Sequence, residues 1–170
     1  YCEMVNSPDQ GARLLHHAIQ STAAGSGVSV LVIPGDISED EAGDDMFLDS
    51  TIATGRPVVY PDPAEAARLV QSINEAGTVT LFCGAGAADA REQVLALAEK
   101  IKSPVGHTFG AKMHIQYDNP FDVGMTGLLG YGAAAEGMKD ADVLLLLGTD
   151  FPYNQFLPDT LTVQVDSHPE

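Results

Sequence analysis

The chain has 170 residues, with 8 lysines and arginines against 24 aspartates and glutamates, a formal net charge of -16. So acidic a surface repels phosphate backbones and anionic lipid, which argues against nucleic-acid binding and electrostatic membrane binding. Apolar residues at 45% are enough for a core, and the length fits one domain or one domain with an attached piece.

Ser7-Pro8-Asp9-Gln10 reads as a helix start, with Ser7 as cap, Pro8 at the first helical position and Gln10 closing a capping box. Leu14, Leu15, Ala18, Ile19, Thr22 and Ala23 then share one helical face, and Gly25 ends the helix. Val28 to Ile33 is a continuous, mostly apolar β-branched run, the pattern of a parallel strand buried on both faces. From Pro34 to about Pro57 the character changes. Asp36, Glu39, Asp40, Glu41, Asp44, Asp45 and Asp49 crowd together with one basic residue, Arg56, at the far end. Charges this dense resist compaction, so residues 36–57 are expected to form an extended, solvated linker; the spacing of a calcium-binding loop is missing.

A second domain is expected over 58–170. Asp62-Pro63-Ala64-Glu65 caps a helix whose inner face is Ala66, Leu69, Val70 and Ile73. Thr78 to Cys83 reads as a strand, and Asp89 to Ile101 as a helix with Val94, Leu97, Ala98 and Ile101 inward. Pro104 to Phe109 is a strand, Ala111 to Gly124 a loop, and the Gly- and Ala-rich Thr126 to Lys139 a helix. Asp142 to Leu147 and Leu161 to Val165 are strands. Alternating strands and helices predict an α/β fold, an all-parallel sheet flanked by helices, with a partial α/β unit at the amino terminus.

In such sheets ligands sit beyond the carboxyl ends of the strands. Gly84, Ala85 and Gly86, then Phe109 and Gly110, then Gly148 to Pro152, then Asp166 occupy those ends. Gly84 to Asp89 supplies two glycines of a dinucleotide fingerprint but places an acid where the third is expected, so a tight strand-to-helix turn explains these residues as well. Asp166 and Asp150 each fit either a ribose acceptor or a helix cap. Thr126 fits a helix start aimed at a ligand or plain close packing of small residues. The histidines at 16, 17, 107, 114 and 168 have no metal spacing, and His107 reads as a satisfied core residue. No nucleophile–base pair emerges, so the residues alone describe a binding domain without catalytic machinery. The two cysteines, Cys2 and Cys83, make no disulfide framework and fit a reducing cytosol.

Tyr117 to Gly130 (YDNPFDVGMTGLLG) and Ala141 to Tyr153 (ADVLLLLGTDFPY) resemble the middle domain of thiamine-diphosphate-dependent pyruvate oxidases, most closely the quinone-dependent bacterial branch. Val30 to Asp36 is similar to the last strand of the pyrimidine-binding domain of that family, which assigns residues 1–35 to that domain and 58–170 to the central flavin-binding domain. The resemblance implies that Met125, Thr126, Gly127 and Leu128 contact FAD, as do Gly148, Thr149, Asp150, Phe151 and Pro152. It places Val165 and Asp166 toward the adenosine, with Gly84, Ala85 and Gly86 near the dinucleotide. It further implies a parent enzyme that oxidatively decarboxylates pyruvate to acetate and carbon dioxide and passes electrons through FAD to a quinone, as a homotetramer.

The thiamine-activating glutamate and the Gly-Asp-Gly…Asn motif for magnesium and pyrophosphate are expected outside these residues, and Gly35-Asp36-Ile37 is not that motif. Thiamine diphosphate and Mg2+ thus belong to the parent alone. These residues by themselves are expected to be inactive and to bind FAD weakly or not at all. The parent is expected in the cytoplasm, peripheral to the inner membrane through a segment outside this sequence. An acetolactate-synthase-like enzyme and a cofactor-free middle domain serving as an oligomer interface are the competing readings.

Overall fold

The computed structural model describes residues 1–25, 27–41 and 58–167 and divides into two compact units, Tyr1–Val59 and Tyr60–Glu170.

The first unit contains β1 (Cys2–Met4), α1 (Gly11–Gly25), β2 (Val30–Val32) and α2 (Gly35–Glu39). β1 is a strand that the sequence reading did not include; it pairs parallel with β2, Cys2 opposite Val30 and Met4 opposite Val32. The helix start differs from the capping-box expectation. Pro8–Gln10 is a 3-10 turn that Ser7 does not cap through its side chain, and Gln10 Oε1 instead accepts from the Asn6 amide at 3.3 Å. Leu14 and Ala18 of α1 are buried, whereas Leu15 and Ile19 remain exposed. Val30 and Val32 are 47% and 42% exposed, so β2 is not covered on both faces. Leu31 shares a surface with Leu15, Ala18 and Ile19 of α1, whereas among the described residues nothing buries the opposite side that carries Val30 and Val32. The expectation of extended chain from Pro34 also fails locally. Gly35–Glu39 is helical, with the Ser38 amide donating to the Pro34 carbonyl at 3.0 Å and Asp36 in the first turn, where the helix dipole favours an acid. Residues 42–57, the bulk of the acidic stretch, lie outside the described residues.

The second unit runs α3 (Pro63–Glu75), β3 (Val79–Cys83), α4 (Arg91–Ile101), β4 (Val105–His107), α5 (Lys112–Ile115), β5 (Asp122–Met125), β6 (Tyr131–Gly132), α6 (Ala134–Lys139), β7 (Val143–Leu147) and β8 (Leu161–Val165). Its six-stranded sheet has the order β6-β5-β4-β3-β7-β8. All pairings are parallel except β5 with β6, so the sheet is mostly rather than wholly parallel. The Asp62 cap forms as its spacing predicts, Oδ1 accepting from the amides of Ala64 at 2.9 Å and Glu65 at 3.2 Å. Leu69 and Ile73 of α3 pack on the core, but Val70 is exposed.

Strand alternation divides the interior into two layers. Val79, Leu81, Cys83, Val143 and Leu145 face one side, where Val94 and Ala98 of α4 pack on them. Phe82, Leu144 and Leu146 face the other, against Met138 of α6 and Phe151. Thr80, on that second side, is buried without penalty because its hydroxyl donates to the Gly137 carbonyl at 2.6 Å. At the amino end of the sheet Asp142 ties β7 to β3, its Oδ2 accepting from the Thr78 amide at 2.8 Å and hydroxyl at 3.0 Å. These bonds hold the Asp142 carboxyl below its ordinary value of 3.8, the Thr78 amide contributing most.

Two expectations between residues 111 and 139 are corrected. Ala111 to Gly124 is not a loop: it holds α5 and most of β5. Thr126 to Lys139 is not one helix, since α6 begins only at Ala134. Gly124 at φ +87°, Gly127 at φ +111° and Gly132 at φ +78° turn the chain into the β5–β6 hairpin instead. Left-handed glycines break the helical period that alanine content alone suggests.

Candidate functional site

Counting only the parallel strands, the order β5-β4-β3-β7-β8 reads 3-2-1-4-5 along the chain, the doubly wound arrangement. The crossovers therefore diverge between β3 and β7, and a crevice opens at their carboxyl ends. The turns that leave these two strands are packed backbone to backbone. A Cβ built on Gly84 would lie 2.3 Å from the Gly148 carbonyl oxygen, and one on Gly148 would lie 2.4 Å from the Ala87 nitrogen. Gly148 also has φ +63°, so glycine is required there twice over. The amides in this knot are already committed: Gly84 donates to Leu147, Gly86 to Gly148, Ala87 to Gly84 and Gly148 to Val165. The glycine turn is thus first a packing device, the plainer of the two readings that its residues allow.

A cleft opens on each side of Gly148. The larger, of about 770 Å3, brings Ala85 together with Met125 at the end of β5, with Thr126, Gly127 and Leu128 from the β5–β6 turn, and with Gly148, Thr149, Asp150, Phe151 and Pro152 after β7. The smaller, of about 340 Å3, is lined by Gly86 and Ala87, by Gln93 and Leu97 of α4, and by Gly148, Val165 and Asp166. Both volumes fall in the range of about 300–1,000 Å3 usual for ligand pockets. Of the residues singled out from the sequence, only Gly84 lines neither cleft; it lies beneath Thr149.

Thr126 reaches the larger cleft by a route other than the helix start expected. The β4–β5 register slips between Val105 and His107, so that three steps on β5, Asp122 to Met125, oppose two on β4. Such a bulge re-aims the residues that follow it, here Met125 and Thr126. Thr108, Leu129 and Tyr153 also line this cleft and are not among the site residues expected from the sequence. Ending β4 at His107 rather than Phe109 turns Thr108 into part of the rim. An apolar strand followed by TDFPY was the available signal for Tyr153.

The walls are mainly apolar and aromatic. Phe151 is buried, meets Phe82 edge-on at 4.8 Å and stands 5.7 Å from the Tyr153 ring. The polar groups along the two linings include the hydroxyls of Thr108, Thr126, Thr149 and Tyr153 and the carboxyls of Asp150 and Asp166, and no lysine or arginine is among the lining residues. Cys83 ends β3 close by, but burial pushes its thiol up to about 12, which removes it as a nucleophile. His107 is wholly buried, as the sequence suggests, yet not fully satisfied: Nδ1 lies 3.1 Å from the Thr108 carbonyl, while Nε2 stands 3.3 Å from Asp122 Oδ1 without a hydrogen bond. The arrangement suits enclosure of a flat, partly apolar ligand with hydroxyl-rich extensions. No nucleophile paired with a general base lines either cleft.

Comparison with known proteins bears on the fold and the family. The fold is shared with an X-ray structure from Mycobacterium smegmatis described as a thiamin diphosphate-dependent enzyme, at a TM-score of 0.76 and 20% identity, covering 98% of this chain and 34% of that one. An uncharacterized 42.6 kDa protein of Pseudomonas amyloderamosa is 45% identical over all of this chain and 43% of its own length. A 3D-(3,5/4)-trihydroxycyclohexane-1,2-dione hydrolase of Listeria monocytogenes is 31% identical over 89% of this chain and 24% of its own. The pyruvate oxidase of Lactiplantibacillus plantarum is 26% identical over 82% of this chain and 23% of its own. The chain thus spans less than half the length of each of these relatives. Residues 66–170 match the family described as thiamine pyrophosphate enzyme, central domain, and the chain belongs to that family.

Proposed function

We propose that the paired clefts bind FAD, and that the protein in its full length oxidatively decarboxylates pyruvate to acetate and carbon dioxide with a quinone as electron acceptor. The observation that carries this reading is the pair of clefts meeting at Gly148, one apolar and aromatic, the other ending at an acid on a strand terminus. The motif resemblance and the pyruvate oxidase among the relatives support it. Met125, Leu128, Phe151 and Pro152 fit the faces of a flat ring system, and Gly127, with no side chain, leaves its turn open. Asp166 has the chemistry to accept hydrogen bonds from ribose hydroxyls. Thr126 and Asp150 are hydrogen-bonding groups at the larger lobe. Bound flavin would supply reversible two-electron acceptance. Thiamine diphosphate and Mg2+ would be held by segments outside these residues, and this chain's part is to bind, orient and shield.

The test is the visible spectrum and FAD affinity of the full-length protein. Leu128 is largely exposed on the cleft wall, so Leu128→Glu leaves the core intact while placing a charge against the ring. At least a roughly tenfold rise in the FAD dissociation constant is expected, about 1.4 kcal/mol. Met113→Glu, also largely exposed but outside the cleft, serves as the control. Equal affinity in both variants would remove FAD from this cleft.

A second reading has its own observation. The amides of the glycine knot are engaged within the protein and no cationic side chain lines either cleft, which fits a middle domain without flavin in a thiamine enzyme of another specificity. No FAD bound at saturation by a full-length protein that still turns over with thiamine diphosphate would favour it.

A further inference from the structure

Resting on the assignment of the larger cleft as a flavin site, we propose that Thr149 is a positioning residue whose hydroxyl holds Phe151 in a strained backbone conformation and thereby shapes the cleft wall. Phe151 has φ +30°, a left-handed value that an aromatic residue adopts only where its surroundings compel it. Two contacts do so. The Phe151 amide donates to Thr149 Oγ1 at 3.0 Å, and the Phe151 ring is buried edge-on against Phe82. Thr149 is itself fixed from below, because a Cβ on Gly84 would come within 2.3 Å of the Thr149 Cβ. The chain of dependence runs from the bare backbone of Gly84, through the seat of Thr149, to the Phe151 amide and ring. At its far end that ring faces the other cleft wall: a Cβ on Gly127 would lie 3.8 Å from it. One of the two acceptor lone pairs of Thr149 Oγ1 is therefore engaged inside the protein.

Valine matches threonine in shape and lacks the acceptor; serine keeps the acceptor. In the full chain without ligand, hydrogen exchange of the Phe151 amide, followed by NMR, is expected to quicken roughly tenfold in Thr149→Val and to stay near wild type in Thr149→Ser. Unchanged exchange in Thr149→Val overturns the proposal. FAD titration of the full-length protein adds a second arm. Thr149→Val is expected to raise the dissociation constant about fivefold, the scale of one net hydrogen bond, with serine restoring it. Failure of the wild type to bind FAD would refute the flavin reading alone, since the exchange experiment still decides the role of Thr149.

Discussion

Two apolar runs that look alike in the sequence end in opposite environments. Val79 to Cys83 is buried along its whole length, whereas Val30 to Val32 stays largely exposed. Composition does not separate them; neighbours do. β3 lies in a six-stranded sheet with helices and the Phe151 segment packed over both its faces, while among the described residues β2 has α1 over the Leu31 side and Val30 and Val32 left open. Among the described residues, the buried apolar set of the first unit is Val5, Leu14 and Ala18, against two full layers in the second. The strand run announces a buried strand, but only the surrounding topology delivers the burial.

The largest effect that follows is on the second unit. Phe82→Ala removes a ring from between Met138, Leu144 and Phe151 and should cost about 3–5 kcal/mol in denaturant unfolding. Gly148→Ala comes next, at about 3 kcal/mol, since the new methyl group meets backbone atoms of Gly86 and Ala87 at a left-handed φ. Val30→Ala in the first unit should cost under about 1 kcal/mol, because half of that side chain is already in water. A cost for Val30→Ala as large as that for Phe82→Ala would break the comparison and show β2 covered in the complete protein.

The smallest effect concerns the Asp142 clamp. Its carboxyl is depressed in the folded state, so its contribution is fully present above pH 3.8 and is lost as pH falls through the lower native value. Asp142→Asn should therefore lower stability at neutral pH and flatten the acid limb of a stability–pH profile. The sign is what matters here, because the group is exposed and the effect small.

How much of this was legible in advance follows the same logic. The Asp62 cap, the α4 core face at Val94 and Ala98, and β8 at Leu161–Val165 were read correctly because each is a local pattern with one physical solution. The stretch from Ala111 to Lys139 was misread because alanine and glycine content mimics a helix, while the deciding fact, three left-handed glycines, is a tertiary one. Gly148 to Pro152 and Asp166 are legible as strand ends, whereas Met125 to Leu128 enter through the motif resemblance alone; the doubly wound order brings these distant segments to two clefts that share Gly148. Gly84 shows the limit of that method. It stands at a strand end and in the motif, yet its space is taken by Gly148 and Thr149. Tyr153 and Thr108 were missed for the converse reason, since their place on the rim depends on where β4 stops and on how the chain folds back after Phe151.

The most direct measurement is a crystal structure of the full-length protein grown in saturating FAD. The ring system is expected between Leu128 and Phe151, with the adenosine ribose within hydrogen-bonding reach of Asp166 across Gly148. Density for the nucleotide elsewhere, or none in these two clefts at saturation, would contradict it.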